Sequence, residues 1–317
     1  MEISLIHLLK AQPLWILILF HLGLLTLLKS SVSLVLWLYN ISFRPPKDLR
    51  SYGSWSLITG STDGIGKAFA FELAQKGLNL ILVGRNPDKL EKVSSEIHAI
   101  CPSVFIKTVV VDFSKDDISM GIRAIENVVE KVDLGLLVNN VGVTYPKATY
   151  FHEVHEQVWM NLLRVNIRGT TMVTKAVISH MLKRRRGAIV NIGSGASVVV
   201  PSHPLYAIYA ATKAYVDQLS RSMHVEYKPY GIDVQCQVPL YVATGLTSKV
   251  AAITKTSIFV PSPDGYVRAA VNWIGYGSRC TPYWSHSLQW YLAHLLPETV
   301  LDAWRLSIGI QRMKDLP

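Results

Sequence analysis

Ser56-Leu-Ile-Thr-Gly60-Ser-Thr-Asp-Gly64-Ile-Gly66-Lys-Ala-Phe-Ala-Phe-Glu-Leu-Ala-Gln-Lys-Gly77 is the stretch whose reading decides the fold. A short apolar run, Trp55, Leu57 and Ile58, predicts a buried strand, and a glycine-rich turn follows it directly. Ala68, Phe69, Leu73 and Ala74 then recur at helical spacing, and Gly77 supplies a helix stop before the apolar run from Leu78 to Val83. Strand, turn, helix and strand make a βαβ unit. In such a unit glycines permit a tight turn and let the backbone approach a pyrophosphate at the positive end of the helix. The spacing is GxxxGxG rather than the commoner GxGxxG. Candidate cofactor contacts in this turn are Gly60, Thr62, Asp63, Gly64, Ile65 and Gly66.

Far downstream, Tyr209-Ala-Ala-Thr-Lys213 places a phenol and an amine four residues apart. On a helix such residues share a face, with Cβ atoms about 5–6 Å apart. Lys213 is then expected beneath Tyr209, where its charge favours the phenolate and lowers the phenol pKa from its reference of about 10. A tyrosine so tuned can pass a proton to or from a carbonyl or alcohol oxygen. Alone, the pair also describes two ordinary surface residues; the upstream turn gives it meaning.

With both motifs present, the chain resembles the short-chain dehydrogenase/reductase family over roughly residues 51–245. That resemblance implies an α/β, Rossmann-type doubly wound parallel sheet in a single domain. It extends to Asp112 after the strand Val109-Val-Val111, where the family has an Asp beside the adenine ring. Leu137-Val-Asn139-Asn-Val-Gly142 is similar to the family's NNAG, and Asn166 and Ser194 stand in Arg164-Val-Asn166-Ile and Val190-Asn-Ile-Gly-Ser194. Pro239 through Thr244, including Val242, resembles the segment that closes over the nicotinamide. By resemblance the catalytic residues are Asn166, Ser194, Tyr209 and Lys213. Tyr209 is the proton donor and Ser194 hydrogen-bonds the reacting substrate oxygen. Lys213 also holds the nicotinamide ribose, and Asn166 bends a helix and orders a water leading to Lys213. Asn139, Tyr209, Lys213, Val242 and Thr244 join the cofactor contacts.

Two departures from the family pattern are visible. Val141 replaces the usual Ala, and Ser194 and Tyr209 are 15 positions apart, two more than is usual, so the intervening loop must bulge. Ser197 is a weaker rival for the serine role.

Cofactor choice follows from charge. The end of the second strand meets the adenosine ribose in this architecture, and an acid there would repel a 2′-phosphate. The position reads Val83-Gly84-Arg85-Asn86, with no acid and one guanidinium able to pair with phosphate, so NADPH is favoured over NADH. Arg85 also has an ordinary reading as a solvated charge opening the next helix. Asn86-Pro87-Asp88 reads as a helix start, which assigns Asp88 to its first turn.

The N-terminal part is of another kind. Leu14-Trp-Ile-Leu-Ile-Leu-Phe20, Leu24 to Leu28 and Val32 to Tyr39 form an apolar block interrupted by Lys29-Ser-Ser31. Residues 13–39 exceed the roughly 20 needed to cross a bilayer. A single crossing, a re-entrant hairpin broken at Lys29 and a buried core helix are all compatible with this pattern. A signal peptide fits poorly, because no good small-residue cleavage site appears and the apolar run resumes beyond Ser33. Arg44, Lys47 and Arg50 follow the block, against Lys10 and Glu2 before it, which places the reductase part in the cytosol. The domains are therefore expected as 1–50, anchor and linker; 51–245, nucleotide-binding core; and 246–317, a substrate-side extension packed on the core.

The 317 residues carry a net charge of +10, which suits an anionic membrane face or an anionic substrate carrier. Three cysteines without paired spacing imply neither a disulfide framework nor a zinc site, in keeping with a reducing compartment. No metal-ligand cluster is read; His152 and His155 read as surface residues. Lys183-Arg-Arg-Arg186 is expected to end a helix from Thr174 to Leu182, capped by Gly187 before the strand Ala188-Ile-Val190. Nucleic-acid binding has no supporting motif. Beyond Thr244, the apolar stretch with Trp290, Tyr291, Leu292, Leu295 and Leu296 could line a greasy channel, lie on a membrane surface or form an ordinary core helix.

Features near both ends narrow the resemblance. The anchor, Tyr52-Gly-Ser-Trp55, Gln235-Cys-Gln-Val-Pro-Leu-Tyr-Val-Ala-Thr244 and Cys280-Thr-Pro-Tyr-Trp284 are similar to the plant very-long-chain 3-oxoacyl-CoA reductases of this family. Such enzymes are NADPH-dependent and bound to the endoplasmic reticulum membrane. They convert 3-oxoacyl-CoA to 3-hydroxyacyl-CoA in fatty acid elongation. The implied partners are a long-chain 3-oxoacyl-CoA substrate, membrane lipid and other enzymes of the elongation cycle, with a homo-oligomer left open. Two alternatives stand beside this: a 17β-hydroxysteroid dehydrogenase-like reductase of a lipophilic ketone, and a weakly active scaffold within the elongase complex. Arg312-Met-Lys-Asp-Leu-Pro317 lacks a lysine-rich retrieval tail, so retention is expected to rest on the anchor or on partners.

Overall fold

The computed structural model describes residues 12–315. In chain order it runs through helix α1 (Leu14–Ser42), strand β1 (Trp55–Thr59), α2 (Gly64–Gln75), β2 (Asn79–Gly84), α3 (Pro87–Ile100), β3 (Ile106–Val110), α4 (Ser119–Val129) and β4 (Leu134–Asn139). It continues with α5 (Glu156–Leu162), a π-helical stretch (Leu163–Gly169), α6 (Thr170–Arg184), β5 (Gly187–Ile192), the single turn α7 (Gly195–Val198), α8 (Ala207–Tyr227) and β6 (Ile232–Gln237). The last part holds α9 (Gly245–Ala251), α10 (Pro263–Val271), β7 (Arg279–Cys280), α11 (Trp284–His294) and α12 (Glu298–Asp315).

The strands form one seven-stranded sheet in the order β3-β2-β1-β4-β5-β6-β7, with every pairing parallel. Strand residues alternate between two helical layers, as the pleat requires. Leu80 and Leu82 join one core with Phe69, Leu73 and Tyr266, whereas Ile81 and Val83 join the other with Ile125, Val173 and Met181. A parallel sheet covered on both faces is apolar throughout, which explains the unbroken run Leu78 to Val83. The chain builds outward from β1 to β3, then returns to lay β4 on the other side of β1. That reversal opens a crevice at the carboxyl ends of β1 and β4, where ligands of doubly wound sheets bind.

The chain separates into two units, Met1–Pro45 and Pro46–Pro317. The division falls a few residues before position 51, and side-chain chemistry explains it. Lys47, Tyr52 and Lys228 all bond the carboxylate of Asp233, and Leu49 is buried, so the chain joins the larger unit immediately after Pro45. At the other end, the residues after 245 are not an addition to a finished core. They supply β7 and the helix α10, whose Tyr266, Val267 and Ala270 pack in the same core as Phe69.

In the smaller unit α1 is one unbroken helix of 29 residues that runs through Lys29. At 1.5 Å per residue it spans about 44 Å. It is long and apolar enough to cross a membrane, and none of its residues is buried, which removes the core-helix reading and the break at Lys29. Thr26 donates back to the Leu22 carbonyl at 2.8 Å, which satisfies its hydroxyl within the helix. Glu2 and Lys10, invoked for orientation, lie outside the described residues.

The basic run differs in detail from expectation. The helix ends at Arg184, Arg185 takes the left-handed conformation at φ 49°, and Gly187 opens β5. Arg184 and Arg186 both pair with Asp133, so half of the run is a structural tie between α6 and the start of β4. Asn86 caps α3 by accepting from the Lys89 amide at 2.9 Å, with Asp88 in the first turn.

Phe69 is fully buried between α2 and the sheet. Phe69→Ala is expected to lower stability by about 3–5 kcal/mol, read as a fall in the urea midpoint of the detergent-solubilised chain with an unchanged slope.

Candidate active site

The glycine turn is shaped by lack of space. A Cβ on Gly66 would stand 2.2 Å from the Gly60 carbonyl oxygen and 2.3 Å from Asn140 Nδ2, so no side chain fits there. Gly60 and Gly64 take φ of 66° and 53°, which glycine adopts without penalty. Asp63 caps α2 by accepting from the Gly64 amide at 2.7 Å, and Ile65 faces the cavity described below. The first amides of α2 are left without helical partners at the crevice, where the helix dipole favours an anion. The cradle therefore fits the pyrophosphate of a dinucleotide.

A buried polar brace holds this turn against β4. Asn140 Nδ2 donates to the carbonyls of Thr59 and Gly60, each at 3.1 Å. The Thr59 hydroxyl accepts from the amides of Asn140 and Val141 at 3.0 and 3.1 Å. Asn139 points elsewhere. Its side chain donates to Thr174 Oγ1 and Asn191 Oδ1, both at 2.8 Å, in a buried network between β4, β5 and α6. Of the two adjacent asparagines, Asn140 is the one that lines the cavity and touches the turn. Alternation along β4 is the signal that separates them. The Val141 side chain packs against one of the two cores.

Ser194, Tyr209 and Lys213 come together on the wall of one cavity of about 620 Å³, with Asn140, Gly142, Pro239, Val242 and Thr244 also lining it. Ser194 follows β5, whose neighbour β6 leads into Pro239; the Gly195 amide bonds the Pro239 carbonyl at 2.9 Å and ties the two segments. The Ser194 hydroxyl accepts from the Ala196 amide at 3.2 Å and is the hydrogen-bonding group that acts on the Tyr209 phenol. Ser197 instead donates to the Ser194 carbonyl at 3.1 Å and is not part of the lining. The interval between Ser194 and Tyr209 is taken up by α7 and the loop Val199–Tyr206, where Leu205 adopts φ 63°.

Lys213 lies one turn along α8 from Tyr209, is 6% exposed, and donates from Nζ to the Ile192 carbonyl at 2.9 Å. Gly142 makes room for it: a Cβ there would stand 3.3 Å from Nζ and 3.5 Å from Asn166 Oδ1. Asn166 lies in the π-helical stretch, which agrees with a helix bent at that residue. Its amide accepts from the Val143 backbone at 2.8 Å and donates to the Val143 carbonyl and the Thr212 hydroxyl, each at 2.9 Å.

Burial sets the protonation of the pair. Removal from water pushes the Tyr209 phenol above its ordinary value, opposed by the hydrogen bond with Ser194 and helped by the nearby phenol of Tyr241. Burial also lowers Lys213, to about 8. The expected depression of the phenol by Lys213 is not seen: Lys213 is not among the groups that shift Tyr209, and its ammonium bonds the Ile192 carbonyl.

The remaining cofactor candidates lie along the carboxyl ends of β1 to β3. Thr62 packs its methyl near Gly84, and Arg85 is exposed at the end of β2. Burial alone would raise the Asp112 carboxyl, but hydrogen bonds from Ser114 and the charges of Arg85 and Lys115 bring it below its usual range. Val242 is buried, and Thr244 caps α9 beside Gly64. Residues of α11, α12 and the link between them, among them Leu292, Leu296, Trp304, Arg305 and Arg312, line the same cavity as Tyr209. Of the C-terminal apolar stretch, Leu292 and Leu296 line the cavity, Tyr291 and Leu295 are exposed, and Trp290 packs against the cluster of Val199, Cys236 and Val238. Arg305 and Arg312 were not singled out in the sequence, where each is one cation on an otherwise mixed helix.

The chain is similar to known proteins. The short chain dehydrogenase family profile matches residues 54–254. The very-long-chain 3-oxoacyl-CoA reductase-like protein of Arabidopsis thaliana is 56% identical over 304 residues, 96% of each chain. The inactive hydroxysteroid dehydrogenase-like protein 1 of Homo sapiens is 42% identical over 251 residues, 79% of this chain and 74% of the relative. The human very-long-chain 3-oxoacyl-CoA reductase is 38% identical over 250 residues, 78% and 77% of the two chains. Among solved structures, the short-chain dehydrogenase from Sphingobium yanoikuyae in complex with NADPH superposes with a TM-score of 0.60 at 30% identity, across 69% of this chain and 83% of that one. From the family match and these identities, the chain belongs to the short-chain dehydrogenase/reductase family of oxidoreductases.

Proposed function

We propose that the protein reduces very-long-chain 3-oxoacyl-CoA to 3-hydroxyacyl-CoA with NADPH, as the first reduction of fatty acid elongation. One observation carries the reading. Ser194 and Tyr209 stand on the wall of a cavity that continues between apolar side chains of α9, α11 and α12. Leu246, Leu292, Leu296, Val300 and Trp304 both line that cavity and are exposed, so it opens among greasy groups suited to a long acyl chain. The names of the Arabidopsis and human reductases support the same substrate class. Helix α1 supports membrane attachment, and we place the protein at the endoplasmic reticulum with its catalytic unit in the cytosol.

The nicotinamide nucleotide, when bound, supplies the hydride. This chain's residues hold it and manage the oxygen. The Gly60–Gly66 cradle and the amides of α2 would hold the pyrophosphate, Arg85 would pair with the 2′-phosphate, and Asp112 would stand on the adenine side. Tyr209, kept protonated at neutral pH by burial, gives its proton to the ketone oxygen. Ser194 donates a hydrogen bond to that oxygen and stabilises charge as it develops. Lys213 holds the ribose and returns the proton to Tyr209, with Asn166 fixing the neighbouring backbone. Val242 and Thr244 close the nicotinamide side.

The identity with an inactive human relative favours a second reading, a scaffold within an elongase complex. Purified enzyme assayed with very-long-chain 3-oxoacyl-CoA and with steroid ketones separates the substrate classes, and indifference to acyl-CoA refutes the first. Tyr209→Phe is expected to cut kcat by about 10²- to 10⁴-fold while the NADPH Kd stays within twofold. The same variant should fail to complement an elongation-deficient host; full complementation would favour the scaffold. Arg85→Asp is expected to weaken NADPH binding about tenfold or more and to leave NADH binding nearly unchanged, read by fluorescence titration.

A further inference from the structure

The substrate end of the cavity carries charge that ketone reduction does not use. Arg305 and Arg312 both come from α12 and both line the cavity, and Arg305 is 8% exposed. Arg312 Nη1 donates to the Tyr241 hydroxyl at 2.9 Å, and Arg305 Nη2 lies 2.9 Å from the ring nitrogens of His203. Arg305 Nε is buried without any partner. Among the residues whose side chains are described, 12–314, no carboxylate lies within 4 Å of either guanidinium. Asp302, three positions before Arg305 on the same helix, is occupied by the Ser202 hydroxyl.

The neighbours register this unpaired charge. Burial would raise the Tyr241 phenol, yet the two guanidiniums bring it below its ordinary value. Burial and the same two charges hold His203 at about 3, so its ring is neutral at physiological pH and adds no third cation. Guanidiniums set in an apolar wall without a counter-charge are costly unless a ligand supplies one. Their fork geometry matches phosphate and carboxylate oxygens.

We propose that Arg305 and Arg312 form an anion subsite that holds an anionic oxygen group carried by the ketone substrate, while its carbonyl lies at Tyr209 and Ser194. This deepens the proposed reductase function and rests on it for the placement of the ketone. Two sources share that chemistry: the phosphates of a coenzyme A thioester, and the carboxylate of the unesterified acid. For the thioester, the subsite would separate carrier-linked substrates from neutral ketones such as steroids, which offer the arginines nothing.

Calorimetric titration of the full detergent-solubilised chain, saturated with NADP⁺, tests the subsite without requiring turnover. The probes are coenzyme A, decanoate and the uncharged decanoyl-N-acetylcysteamine. Arg305→Gln and Arg312→Gln are each expected to raise the Kd of one charged probe about tenfold or more, with the uncharged probe and NADPH within twofold. Arg305→Lys should recover part of the loss. Loss on coenzyme A alone assigns the site to phosphate, and loss on decanoate alone assigns it to carboxylate. An equal loss on the uncharged probe, or no loss on either charged one, overturns the proposal. Should Arg305→Gln not fold, Arg305→Lys and the more exposed Arg312→Gln carry the same comparison. Absence of turnover with 3-oxoacyl-CoA, alongside arginine-dependent binding, would refute the reductase reading and leave the subsite standing.

Discussion

The missing side chain at Gly66 is the constraint on which the site depends. The Gly60 carbonyl and the Asn140 amide already occupy the space a Cβ would need. This close approach lets the turn after β1 fold back on itself and start α2 at the crevice between β1 and β4. Asn140 then spans from β4 to the turn, with the Thr59 hydroxyl returning two bonds to the same segment. The start of α2 is thus tied to the end of β4 through one partly buried polar joint. Buried polar networks of this kind specify geometry when every member is satisfied.

The same reasoning explains how the proton-transfer pair is held. Helical spacing alone puts Lys213 near Tyr209, yet it does not decide what the ammonium bonds. Gly142 leaves room for the amine, the Ile192 carbonyl receives it, and Asn166 occupies the adjacent space without bonding it. Burial acts on both groups in the direction of neutrality, raising the phenol and lowering the amine. For reduction this suits the donor, since a protonated phenol is what the developing alkoxide requires.

Much of this was legible in the sequence because short-range rules govern it. The turn from Gly60 to Gly66 and the helix start at Asn86 follow from spacing and local chemistry, whereas Ser194 is picked out only by resemblance to the family. Other features depend on contacts that spacing cannot show. Asn139 and Asn140 are adjacent and chemically identical, and only the direction of each along β4 assigns one to the sheet and one to the turn. The run Lys183 to Arg186 reads as a solvated helix end until Asp133, remote in sequence, takes two of its arginines. β7 is two residues long, too short for any alternation to reveal it. On α12 the apolar and charged residues intermingle, so the arginines that face the cavity are not distinguishable from those that face water.

The bulge between Ser194 and Tyr209 brings these two classes of feature together. As a departure from the family interval it looked like a threat to the catalytic geometry. In the structure Ser194 and Tyr209 meet regardless, and the loop from Val199 to Tyr206 turns away toward α12. Ser202 bonds Asp302 there, and His203 meets Arg305. The loop thus joins the proton-transfer residues at the sheet to helix α12 at the substrate end. The loop and helix α12 meet at the substrate end of the cavity, where the proposed anion subsite lies.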